Sequence, residues 1–188
     1  PLVRSLDSYT EYYRRWSLSW EAQALLRARG VAGSVKLINR FMALADEVRY
    51  PARPAEQDLR EIKRIKARVE NERLPQGVDR SRHLKLGPGG LSDVEWLVQV
   101  LQHEHAHDVP PLRTTSTLEA LEAARAARLV PDAAAQRLHD AWRLASRLRS
   151  ANTLLSGQTS DVLPTDRGKL DGIGRLLEYP ARSATLVE

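Results

Sequence analysis

The 188-residue chain contains no cysteine. Disulfides and thiolate metal sites are therefore excluded, and a reducing compartment fits. Aromatic residues make up only 5% of the sequence. No apolar run approaches the roughly 18–20 residues needed to span a bilayer, and no signal-peptide pattern opens the chain. A cytoplasmic protein with no membrane partner is the expectation. No alternation of apolar and polar residues marks a strand, and no internal repeat occurs. The first residue is Pro1 rather than methionine, so a segment of a longer polypeptide is expected.

What is abundant forms helices. Ala, Leu, Arg and Glu dominate, and all are strong helix formers. The length is enough for one domain with a real core. The net charge of +5 suits an anionic partner such as a nucleotide phosphate without requiring one.

Local signals divide the chain into helices. Ser8 with Glu11 reads as a capping box, opening one long helix over about 8–30 with Gly30 and Gly33 as stop signals. Further long helices are predicted over about 34–50, 54–73, 92–107 and 132–156, with short ones over about 117–128 and 166–179. Leu59, Ile62, Ile65 and Val69 form the apolar stripe of the third. Its opposite face alternates Arg and Lys with Glu and Asp, as a solvated, salt-bridged surface does. No aromatics interleave there to stack bases, so a nucleic-acid partner is not expected. The pattern predicts an all-α fold: a single domain over 1–188 built as an antiparallel up-and-down, four-helix-bundle-like array with additional short helices.

The stretch from His83 to Trp96 carries the most information. Lys85 and the glycines Gly87, Gly89 and Gly90 lead into a helix. Ser92 reads as its N-cap and Glu95 as the partner in a capping box, with Leu91 and Trp96 as a hydrophobic staple. Free backbone N–H groups in such a loop, with Lys85 at the positive end of a helix dipole, could hold an anion or phosphate. The loop is neither a P-loop, because no Gly-Lys-Ser/Thr follows, nor a dinucleotide fingerprint, because no strand precedes it. Asp93 is the better carboxylate for facing a metal-bound nucleotide, because the cap already uses Glu95. In the first helix Gln23 and Arg27 share a face, and Arg27 or Arg29 could offer a planar guanidinium to a triphosphate.

His103-Glu104-His105-Ala106-His107 matches the zinc-protease pattern H-E-x-x-H. It falls at a helix end, where histidine is favourable for dipole reasons, and no third ligand motif follows. No metal site is expected.

Two blocks together resemble the bacterial family of bifunctional glutamine synthetase adenylyltransferase/adenylyl-removing enzymes, in its actinobacterial branch. The first is Tyr9-x-x-Tyr12-Tyr13-x-x-Trp16-x-x-x-Trp20-Glu21-x-Gln23-Ala24-Leu25-x-Arg27-Ala28-Arg29. The second is Lys85-x-x-x-Gly89-Gly90-x-x-Asp93-Val94-Glu95-Trp96-x-x-Gln99. The resemblance implies a nucleotidyltransferase with two halves, each a catalytic domain followed by a helical domain. Ser92-Asp93-Val94-Glu95 resembles the carboxy-terminal half, which attaches AMP to a tyrosine of glutamine synthetase using ATP and magnesium. The family's catalytic signature, Gly-Ser followed by Ser-Asp-x-Asp on a strand, is not present. The resemblance therefore implies no catalytic residue in this segment. Its candidate ATP-facing residues are Lys85, Gly89, Gly90, Asp93, Arg27 and Arg29. The implied partners are glutamine synthetase, the chain's own nucleotidyltransferase domains and a PII-type signal protein. A pure docking or regulatory bundle, and the helical domain of a PII uridylyltransferase, are the alternatives.

Overall fold

A computed structural model describes residues 3–179. These residues form α1 (Leu6–Arg15), α2 (Ser19–Leu25), α3 (Val35–Arg49), α4 (Glu56–Glu72), α5 (Leu91–His105), α6 (Thr117–Ala126), α7 (Asp132–Ser156) and α8 (Arg167–Leu176). Two short 3-10 turns, Arg80–Arg82 and Pro110–Leu112, lie between them. Among the described residues there is no strand, only one isolated antiparallel bridge between His83 and Val162. The fold is all-α. None of its described helices is long and apolar enough to cross a membrane.

The described residues fall into two compact units, with α4 and α5 contributing residues to both. The first comprises residues up to Arg68 and Trp96–Pro131. Its core holds Leu26, Leu44, Ala45, Ile62, Val98, Leu112 and Leu121. Tyr9 on α1 meets Phe41 on α3 edge-on, with ring centroids 5.8 Å apart, within the range where aromatic pairs attract. The second unit comprises Val69–Glu95 and the residues from Asp132 on. Leu84, Ala151, Leu163 and Ile173 form its buried cluster, with Leu148 and Leu177 packed against it.

The single helix predicted over 8–30 is two helices. Ser5, not Ser8, is the cap of α1, its Oγ accepting the Ser8 N–H at 3.2 Å. Ser8 therefore lies inside the first turn. The break after Arg15 has a local cause. The Ser17 hydroxyl donates to the Tyr13 carbonyl at 2.7 Å, and a side chain that competes for a helical carbonyl favours an ending. Glu21 then starts α2 by accepting the Leu18 N–H at 2.9 Å. This is the return arm of a capping box three residues into the new helix. Its other oxygen accepts the Tyr12 hydroxyl at 2.7 Å, which ties α2 to α1. That contact also holds the Tyr12 hydroxyl above its ordinary pKa.

Candidate functional site

In the second unit, the chain from His83 to Asp93 folds into a loop closed by its own backbone. Gly87 N–H donates to His83 O at 2.8 Å, and Gly90 N–H to Gly87 O at 2.9 Å. Leu91 and Ser92 donate back to Leu84 O and Lys85 O, each at 2.9 Å. The buried His83 ring takes the next two amides: its Nδ1 accepts from Lys85 N–H at 3.3 Å and Leu86 N–H at 3.0 Å. Its neutral ring therefore carries its proton on Nε2. The Gly89 N–H donates to Asp93 Oδ2 at 2.7 Å. Leu84 N–H closes the base of the loop on Asp161 O at 2.7 Å.

Two expectations from the sequence change here. The helix starts at Leu91 rather than after Ser92, so Ser92 is buried inside the first turn and is not the cap. The reaching-back carboxylate is Asp93, not Glu95, which moves the capping register by two residues. Leu91 accordingly sits within the helix instead of ahead of it as a staple partner. Nor are the loop amides free: from Leu84 to Asp93 every backbone N–H has an acceptor within the unit, Pro88 having none to give. No cradle of open amides awaits an anion.

The glycines follow from this geometry. A Cβ on Gly87 would lie 2.2 Å from Arg80 O and 2.5 Å from His83 O. Gly90 has backbone oxygens at 2.8 Å from its Cβ position, and Gly89 sits at φ +72°, where side chains are strained. What the loop presents outward is Lys85, which is exposed, and Asp93, which is half-buried. Lys85, Gly89, Gly90 and Asp93 are thus together in one rigid turn.

Arg27 and Arg29 belong to the first unit. The Arg27 guanidinium donates to Thr115 O, and through its other terminal nitrogen to Thr117 Oγ1 at 2.8 Å. It anchors the start of α6. Gln23 donates to Gln99 Oε1 at 2.5 Å. Arg29 is exposed beside an apolar groove lined by Tyr9, Ile38 and Phe41.

Several polar residues that sequence reasoning did not select organise the same unit. Arg49 is only 7% exposed. It donates to Leu25 O at 2.7 Å and Ala28 O at 3.0 Å, and it pairs with Asp46. Its guanidinium and that of Arg113 both lie over the Tyr50 ring, 4.9 and 5.5 Å from its centroid. Gln102, 1% exposed, donates to Leu112 O and Thr114 O, both at 2.7 Å. Helical periodicity gives no signal for these residues, since their partners are carbonyls distant in sequence. His103, the first histidine of the H-E-x-x-H match, is buried, with Nδ1 3.3 Å from Arg49 O. His107 lies beyond the end of α5.

Comparison with known proteins gives two family models. Residues 56–187 match the GlnD PII-uridylyltransferase model, and residues 1–44 match the glutamate-ammonia ligase adenylyltransferase model. Among curated relatives, the chain is 63% identical over its whole length to a bifunctional glutamine synthetase adenylyltransferase/adenylyl-removing enzyme of Leifsonia xyli, covering 19% of that protein. It is 54% identical to the protein of that name from Streptomyces coelicolor, over 95% of the chain and 18% of the relative. The Mycobacterium leprae protein is 48% identical over 96% of the chain. The chain spans about a fifth of the length of the curated relatives it matches.

Proposed function

The chain belongs to the family of bifunctional glutamine synthetase adenylyltransferase/adenylyl-removing enzymes, and on that premise we propose that it is a helical part of such an enzyme, acting beside the AMP-transfer site. The reaction would move AMP from ATP to a tyrosine of glutamine synthetase. In that scheme magnesium and the catalytic carboxylates come from a nucleotidyltransferase domain of the same protein, since Ser-Asp-x-Asp occurs nowhere in this sequence. Transfer to phosphorus depends on positioned charge around metal-bound phosphates. The observation that carries the reading is the rigid turn that presents Lys85 outward. With every loop amide already bonded, any phosphate contact falls to the Lys85 ammonium, with Asp93 holding the turn through the Gly89 amide and Gly90 packed against the loop's own carbonyls. Arg29 is a second exposed cation that could meet the nucleotide. Arg27, with its guanidinium committed to Thr115 and Thr117, supports the fold of the first unit. A cytoplasmic setting, glutamine synthetase as protein substrate and a PII-type regulator are parts of the same proposal.

The test is transfer of labelled AMP from ATP to glutamine synthetase by the full-length protein. Lys85→Met removes the outward ammonium while leaving the bonds that close the loop in place. A tenfold or greater fall in turnover, about 1.4 kcal/mol of transition-state stabilisation, with the melting temperature unchanged, supports a place at the reaction site. Unchanged turnover leaves this turn as scaffold.

The family match over 56–187 favours one second reading, a helical domain of a PII uridylyltransferase-like enzyme. Transfer of labelled UMP from UTP to a PII protein, with none of AMP to glutamine synthetase, would select it.

A further inference from the structure

In the first unit a groove of about 250 Å³ lies between the start of α1 and the first half of α3. Leu6 and Tyr9 of α1 and Leu37, Ile38, Phe41 and Met42 of α3 form its walls. The walls are held together. Tyr9 meets Phe41 edge-on at 5.8 Å, and Gly30 packs so closely that a Cβ there would lie 2.3 Å from Ile38 Cγ2. Apolar surface continues past the groove. Leu37 is 54% exposed, and Val31, next to Gly30, and Val35, which opens α3, are 76% and 71% exposed. Single exposed aliphatics are ordinary, but three in one short stretch beside an apolar groove mark a surface that a partner covers.

The charges around it have one sign. Arg4 and Arg29 are the charged residues of the lining. Arg4 lies over the Tyr12 ring, 5.4 Å from its centroid. Neither arginine is paired with a carboxylate among the described residues. Between Glu21 and Asp46 the sequence holds Arg27, Arg29, Lys36 and Arg40 and no Asp or Glu. On α1, Asp7 is exposed and outside the lining, and Glu11 is paired with Arg15 at 3.1 Å. The complement is a partner with apolar residues along one face and carboxylates beside them. A groove between two packed helices has the shape that the side-chain ridge of a third helix fills. A small anion would leave Val31 and Val35 in water, and a flat bilayer would leave the groove empty. A second copy of this face would set the same cations against each other.

We propose that this groove docks an acidic amphipathic helix of a partner protein, with its apolar side chains on Tyr9, Leu37 and Ile38 and its carboxylates toward Arg4 and Arg29. The AMP-transfer reading is carried by Lys85 and stands whether or not Arg29 is engaged here. The probe is a labelled four-turn peptide with Leu at i, i+3, i+4 and i+7 and Glu elsewhere, titrated into the full-length protein and read by fluorescence anisotropy. One saturable site is expected. The same residues in an order that scatters the leucines should bind at least tenfold more weakly, or about 1.4 kcal/mol, and so should the isomer with Lys in place of Glu. Leu37→Ser, at a half-exposed position, should weaken the peptide at least tenfold with melting unchanged, and Arg4→Glu should weaken it as well. Absence of saturable binding, equal binding of either control peptide, or unchanged affinity in Leu37→Ser would overturn the assignment. So would co-sedimentation with anionic vesicles, or a dimer, that Leu37→Ser abolishes while the peptide stays unbound. The contrast among peptides is read on the unaltered protein, so it stands even if a variant fails to fold.

Discussion

The connections of the first unit and the loop before α5 in the second are held by different means, although Arg82 in the second unit also donates to the distant Pro164 carbonyl. In the first, long side chains cross to distant carbonyls: Arg27 to Thr115, Arg49 to Leu25 and Ala28, and Gln102 to Leu112 and Thr114. In the second, the loop before α5 is closed by its own backbone, His83 and Asp93. The first arrangement consumes cations internally, which turns conspicuous arginines into struts. The second consumes amides internally and leaves Lys85 on the outside. A charged residue in a promising motif is thus informative about function only after its bonds are counted.

This comparison can be broken most severely at Arg49. Arg49→Met would leave the Leu25 and Ala28 carbonyls and Asp46 without their donor, and should destabilise the protein by about 3–4 kcal/mol in urea unfolding. The backbone-closed loop should fail next. Gly87→Ala forces a Cβ to within 2.2 Å of the Arg80 carbonyl oxygen, for about 3 kcal/mol. Gly89, whose Cβ position meets nothing within 4 Å, should cost only about 1 kcal/mol on substitution by Ala, through φ alone. A reversed order at these two glycines would show that the loop is not closed as described.

A finer contrast is set by pH. Burial lowers the His103 pKa in the folded state, so the unfolded chain binds the proton more tightly. The stability from keeping this ring neutral is complete above its ordinary value of about 6.5 and is lost as pH falls through the lower folded value. Between those two pKa values the slope is at most about 1.4 kcal/mol per pH unit. Unfolding of the unaltered protein should therefore ease on acidification more steeply than that of His103→Gln. Parallel curves would remove His103 as the cause.

The all-α character was legible in the sequence because it rests on apolar spacing and strong helix formers, which need no tertiary information. The longest helix shows this best: the stretch from Pro131 to Gly157 reads as one helix, and α7 spans Asp132–Ser156. The break between α1 and α2 was not legible, because apolar residues keep helical spacing through Trp16 and Trp20 while Ser17 and Glu21 redirect local hydrogen bonds. A Glu three residues beyond a possible break was the signal to weigh. At α5 the capping residues were recognised but placed two residues late, because Ser92 is the stronger cap by type while Asp93 reaches the Gly89 amide. The glycine turn itself was visible. That its amides are all satisfied depends on His83 and on the return bonds to Leu84 and Lys85, which no pattern of residue types encodes. Likewise the groove beside Arg29 joins residues of α1 and α3 with Ala28 and Gly30, and only folding brings them together.

The most direct test sets Lys85→Met beside Arg27→Met in the full-length protein, reading labelled AMP transfer to glutamine synthetase and melting temperature together. Lys85→Met should lower turnover tenfold or more, about 1.4 kcal/mol, with melting unchanged. Arg27→Met should leave turnover per folded molecule intact while costing about 1.5–2 kcal/mol of stability. Full turnover in Lys85→Met, with a loss in folded Arg27→Met, would contradict the account.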